Sequence, residues 1–160
     1  MSDTTNSENS ISPDLAAPAG GPPVLERLDE AECLRLISPG GIGRIAYSGR
    51  YGPTVLPVNY RVHEGSIVFR TAHDSPTDED LRTGIAEAEY KVAFEIDDFD
   101  VAAREGWSVL IQGPAHHVES EAEQASVLEA GVDPWPGGDW EVFLRIIPSR
   151  ITGRRIRRSR

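Results

Sequence analysis

PTVLPVNYRVHEGSIVFRTAHDSPT, residues Pro53 to Thr77, divides into two extended runs, a tight connection between them and a helix start. Thr54, Leu56, Val58 and Tyr60 share one side of the first run and Val55, Pro57 and Asn59 the other, because side chains in a strand alternate with period two. His63-Glu64-Gly65 is a short polar connection with a flexible glycine. Ser66 to Thr71 is rich in Ile, Val and Phe, so the two runs read as a β-hairpin. In the segment that follows, Thr77 is the expected helix cap with Asp80 as its capping-box partner, and Leu81 and Ile85 form the buried stripe. A phosphate at this junction would meet backbone N–H groups, the positive end of a helix dipole and the hydroxyls of Thr71, Ser75 and Thr77, with Arg70 adding a charge-assisted bond. A regular strand sends Arg70 and Thr71 to opposite sides, so Thr71 and Ser75 rank ahead of Arg70.

Outward from this hairpin, strands dominate. Asp29 caps a first helix with Glu32 as reciprocal partner, Leu28 and Cys33 occupy the staple positions, and Leu36 and Ile37 continue the stripe. Ser38 to Gly41 is a turn, and a strand runs from Ile42 to Ser48. Tyr90 to Asp97 alternates, with Tyr90, Val92, Phe94 and Ile96 inward. Gly106 to Val118 is a long strand interrupted at Gly113-Pro114, where proline has no N–H for a ladder. Ser120 with Glu123 caps a third helix, and Trp140 to Ile147 is the last long strand. Few, peripheral helices and short turns predict a mainly β fold, an antiparallel barrel that removes exposed strand edges.

The chain has 160 residues and a net charge of −10, which suits one domain and opposes nucleic-acid binding. Residues 1–24 contain little apolar surface and are expected to be a disordered tail. Residues 25–156 are the domain, and 157–160 a basic tail. Six arginines, Arg150, Arg154, Arg155, Arg157, Arg158 and Arg160, lie in the last eleven residues, leaving 10 basic against 26 acidic residues, or −16, in residues 1–149. Such a segment could hold nucleic acid or an anionic membrane, but docking on its own acidic body or on a dimer partner is the expectation. No secretory signal or membrane-spanning run is visible, so a cytoplasmic protein without membrane contact is expected. Cys33 is the one cysteine, excluding an internal disulfide, and reads as a small buried apolar residue.

Gly40-Gly41-Ile42-Gly43 precedes a strand and does not open a helix, so it is a turn and a close backbone approach, not a dinucleotide fingerprint. His116 and His117 point to opposite faces of a strand, and no metal site is expected. No Ser-His-Asp set or paired-carboxylate site suggests hydrolysis, and no catalytic residue is assigned.

LPVNY, then IVFRT, Ser75 four residues after Thr71, GWSVLIQG and the closing ITGRR together resemble the pyridoxamine 5'-phosphate oxidase-like family of flavin-binding split β-barrels, over roughly Leu25 to Ile156. The resemblance implies a homodimer with FMN in clefts between subunits and a small-molecule redox substrate, its activity that of a flavin-dependent oxidoreductase. It places the phosphate at the segment from Phe69 through Arg70, Thr71 and Ser75 to Thr77. Leu56, Val58, Asn59 and Tyr60 match the strand along the flavin ring. By the same resemblance Trp107 and Ser108 are expected to reach the partner subunit's cofactor and the dimer interface, and Arg154, ahead of Arg155, to approach the cofactor's pyrimidine edge. Family members often carry a lysine just after the turn serine, where this chain has Pro76 and Thr77. The same barrel also serves deazaflavin-dependent reductases and non-catalytic flavin carriers or interaction modules, which are the alternatives.

Overall fold

A computed structural model describes residues 20–82 and 90–159. Its elements are β1 (Pro23–Leu28), α1 (Glu30–Ile37), β2 (Gly41–Gly49), β3 (Gly52–His63), β4 (Ser66–Thr71), α2 (Pro76–Asp80), β5 (Tyr90–Asp100), β6 (Glu105–His117), α3 (Glu121–Leu128), β7 (Val142–Ile146) and β8 (Arg150–Arg158). The hairpin forms as expected. Glu64 and Gly65 sit between β3 and β4 with φ of 49° and 74°, the paired positive values of a tight turn whose twist matches its strands.

The strands form one sheet in the order β1-β8-β6-β5-β2-β3-β4-β7, and a further β6–β7 pairing closes six of them into an antiparallel barrel. β6 makes this possible by dividing one edge. From Gly106 to Gln112 it pairs with β8, and from Ala115 to His117 with β7. Its other edge follows β5 from Glu105 to Ala115. The change of partner falls at Gly113-Pro114, where the proline carbonyl accepts the Ile147 N–H at 3.0 Å and the Gln112 carbonyl the Ser149 N–H at 2.8 Å. Pro114 therefore stands where its missing N–H leaves no gap in a ladder.

Inside the barrel Phe94 is fully buried, with Tyr60 edge-on at 5.4 Å and Phe69 stacked at 6.2 Å. A Cβ on Gly43 would lie 2.2 Å from the Phe94 ring, so the glycine is there for a close approach. Tyr60 donates its hydroxyl to the Ile37 carbonyl at 2.8 Å, satisfying an end carbonyl of α1. Burial pushes this phenol up to about 12. A smaller cluster, Val68, Val118, Val127, Val132 and Phe143, lies on the outward side of β4 and β7 beneath α3.

Two strands lie outside the expected set. β1 pairs β8 from Pro23↔Arg158 to Leu28↔Gly153, so order extends beyond the limits of 25 and 156 drawn from sequence. Three of the β8 arginines are spent on the body of the protein. Arg155 bonds Glu32 at 2.7 Å, Arg157 pairs with Glu26, and the Arg158 N–H reaches Glu105 at 2.8 Å. Asp29 does cap α1, accepting the Glu32 N–H at 2.8 Å. The Glu32 carboxylate does not reach back to complete a capping box, because Arg35 and Arg155 hold it, and these bonds lower its pKa to about 2.

Thr77 is not the cap of α2. Ser75 is, its Oγ accepting the Asp78 N–H at 3.1 Å, and Pro76 takes the first helical position, where it loses nothing by lacking an N–H. Asp80 bonds Arg50 at 2.7 Å instead of completing a box. Leu81 is buried, while Ile85 lies outside the described residues. No helix among the described residues is long and apolar enough to cross a membrane.

Gly153 carries α1 on the barrel wing: a Cβ there would lie 2.5 Å from Cys33 Sγ. Gly153→Ala is expected to cost about 1–3 kcal/mol by overpacking. Thermal melts of this variant, Cys33→Ala and the double variant should show non-additivity, the second change relieving part of the first.

Candidate functional site

The structure sorts the sequence-selected residues into four places. Val58, Tyr60, Phe69 and Thr71 face the barrel interior, since Tyr60 pairs with Phe69 and alternation fixes the rest. Tyr60 and Phe69 are 2% and 0% exposed, so their side chains belong to the core. Val58 is half-buried against the same core. Trp107 also packs there, while its neighbour Ser108 faces out.

The second place is the outward surface of β3 and β4. Arg70 leaves Thr71 on the other side of the strand and donates from Nε to the Trp140 carbonyl at 2.6 Å, its guanidinium 4.6 Å from the Phe143 ring centre. Asn59 Oδ1 accepts the Trp135 N–H at 3.0 Å. Both side chains thus anchor the segment before β7, which crosses this surface with Trp135 exposed.

At the β4–α2 turn Thr71 and Ser75 do meet, with hydroxyl oxygens 2.8 Å apart, and Thr77 lies 3.5 Å from the Tyr47 hydroxyl. The centre of this group is Asp78, a residue the sequence reading passed over. Its carboxylate is fully buried and accepts from the Asp74 N–H at 2.9 Å, His117 Nε2 at 2.7 Å and Arg82 at 2.8 Å. Burial raises its pKa, but the Asp74 N–H, the His117 bond and the Arg82 charge outweigh it and leave the carboxyl below its ordinary range. Sequence distance hid the cluster: 39 residues separate Asp78 from His117. His116, on the opposite face, bonds Glu123 at 2.9 Å.

Ser108 and Arg154 are cross-strand neighbours, and they open on a groove of about 340 Å³ completed by Leu25, Glu95, Phe99 and Ile156. Arg27 lies across from Arg154 on β1. Arg154 has no carboxylate partner among the described residues, unlike Arg155 and Arg157 on the same strand. Burial, with the Asp97 charge beside it, pushes the Glu95 carboxyl up. The groove therefore combines apolar walls, one hydroxyl, one open guanidinium and one carboxyl that keeps its proton more readily than usual.

Residues 29–155 match the family described as pyridoxamine 5'-phosphate oxidase. The chain belongs to this family. An uncharacterised protein of Mycobacterium tuberculosis is 33% identical over 141 residues, 88% of this chain and 91% of its own length. Among solved structures, a FAD-binding protein of Mycobacterium smegmatis is 32% identical with a TM-score of 0.67, covering 82% of this chain and 100% of that one. A FAD-binding protein of Mesorhizobium loti, 21% identical with a TM-score of 0.65 over 82% of this chain and 98% of its own, shares the fold.

The family implies a flavin, and the two candidate regions fit it unequally. A flat, largely apolar ring with a polar edge suits the Ser108–Arg154 groove. A terminal phosphate does not suit the turn as folded, where the donors already serve Thr71, Ser75 and Asp78.

Because Asp78 has a lower pKa folded than unfolded, its stabilisation is complete above the ordinary carboxylate range and is lost as pH falls through the folded value. His117→Ala removes one donor, at a cost of about 1.5–3 kcal/mol. The acid-unfolding midpoint, followed by circular dichroism, should move to higher pH.

Proposed function

We propose that this protein is a flavin-binding homodimer of the cytoplasm that carries out redox chemistry on a small-molecule substrate, with the ring held at the Ser108–Arg154 groove. The observation that carries the reading is the open guanidinium of Arg154 beside an apolar, strand-walled groove in a chain of this family. A bound flavin supplies hydride transfer. Arg154 offers a fixed positive charge to the anionic edge of a reduced ring, Ser108 a hydrogen bond, and Leu25, Phe99 and Ile156 the apolar contact that excludes water.

A second copy of the chain covers the outward sheet surface, where Leu25, Ile42, Val55 and Leu110 are exposed. Scattered apolar residues are ordinary on a surface, but these four lie on one sheet that also walls the groove. FAD is favoured over FMN. The M. smegmatis relative is a FAD-binding protein, and the turn that would grip a terminal phosphate has no lysine and a buried carboxylate at its centre. In a dinucleotide each phosphate carries a single charge, so such a grip is not required.

The test is titration of FAD and FMN into the purified full chain, with mass spectrometry of any ligand that co-purifies and sedimentation analysis of the oligomer. FAD should bind more tightly than FMN. Arg154→Ala should weaken binding about tenfold, the loss of one charge-assisted bond. NADH or NADPH oxidation by the loaded protein separates an enzyme from a carrier. Failure to take up any flavin, or recovery of a deazaflavin instead, overturns the assignment.

A further inference from the structure

We propose that the Asp78 carboxylate stands where a ligand phosphate would be held at the β4–α2 turn, and that the chain thereby selects flavins without a terminal phosphate at that place. The inference rests on the flavin reading above and assigns Asp78 as a specificity-determining residue.

Three donors converge on Asp78: a backbone N–H from the turn, an imidazole of β6 and a guanidinium. Backbone N–H groups, imidazoles and guanidiniums are also the donors that hold phosphate oxygens. Here they surround an internal anion that is fully buried. Other polar groups of the turn are spent as well. The Thr71 and Ser75 hydroxyls bond each other, Ser75 Oγ also accepts the Asp78 N–H, and Pro76 has no N–H to offer. Arg50, the cation next to α2, is held by Glu79 and Asp80 at 2.7 Å each. An incoming phosphate monoester would add up to two negative charges beside a carboxylate that cannot move into water. Like charges at such range in a protein interior are strongly unfavourable. A ligand that ends in a hydroxyl, or continues as a dinucleotide, avoids that repulsion.

The experiment compares riboflavin, FMN and FAD binding to the full-length protein by flavin fluorescence, in the parent and in Asp78→Ala, with Asp78→Asn in parallel as the isosteric neutral variant should the alanine protein not fold. In the parent, FMN and riboflavin should bind within about threefold of each other. Removing the carboxylate should make FMN the tighter ligand by about tenfold or more. Inorganic phosphate, compared with chloride at equal ionic strength, should raise the melting temperature of the variant and leave the parent unchanged. A parent that binds FMN about a hundredfold more tightly than riboflavin overturns the inference, as does phosphate stabilisation of parent and variant alike. If the parent binds none of the three flavins, the flavin reading fails. The phosphate melts then decide the role of Asp78 by themselves.

Discussion

One strand, β6, serves three neighbours, and the rest of the architecture follows from how it divides its hydrogen bonds. Its edge toward β7 closes the barrel over only three residue pairs, while the same edge further back is given to β8. A barrel closed along the whole of β6 would have no wing, and β1 and β8 would have no sheet to join. The wing carries the groove, because Leu25, Ile156, Arg154 and Ser108 are outward positions on β1, β8 and β6. The inward side of the same wing receives α1, whose Cys33 fills the space that a side chain at position 153 would take. One division of hydrogen bonds thus sets both the helix seat and the candidate ligand surface.

Electrostatics distinguish the two polar regions more sharply than composition does. At the turn after β4, acid and base are matched and sealed, and the Asp78 carboxyl stays ionised to unusually low pH. On the wing the balance is open. Arg154 and Arg27 stand opposite each other across the β1–β8 pair, like charges that an outside anion would offset. A sealed pair contributes to holding the barrel end together, whereas an unmatched charge at a groove is available to a ligand.

Much of this was legible from residue order. The Ser66 to Thr71 strand, the inward set Val92, Phe94 and Ile96, the caps Asp29 and Ser120, and an interruption of the long strand at Gly113-Pro114 all follow from local periodicity and the chemistry of proline and capping side chains, although the change of partner strand there does not. The strand β8 was not, because Arg154-Arg155 and Arg157-Arg158 hide its alternation behind charge on both faces. Only the tertiary position of Glu26, Glu32 and Glu105 makes that pattern intelligible. The cap of α2 was misplaced by two residues, since both Ser75 and Thr77 are good caps and Pro76 between them decides the matter. The site was the least legible. Ser108 with Arg154 and Thr71 with Ser75 were brought together, but Asp78 and His117 meet only because a strand and a short helix converge at one end of the barrel.

The pairing of β1 with β8 also brings the two extremities of the folded domain side by side. The Gly21 N–H reaches the Ser159 carbonyl at 2.8 Å, and the Ser159 N–H returns to Pro22. Fusions appended to either end of the domain therefore emerge at one shared corner, just past Leu25 and Ile156. A circular permutant opened between Glu64 and Gly65 needs only a short linker there to reconnect the old ends.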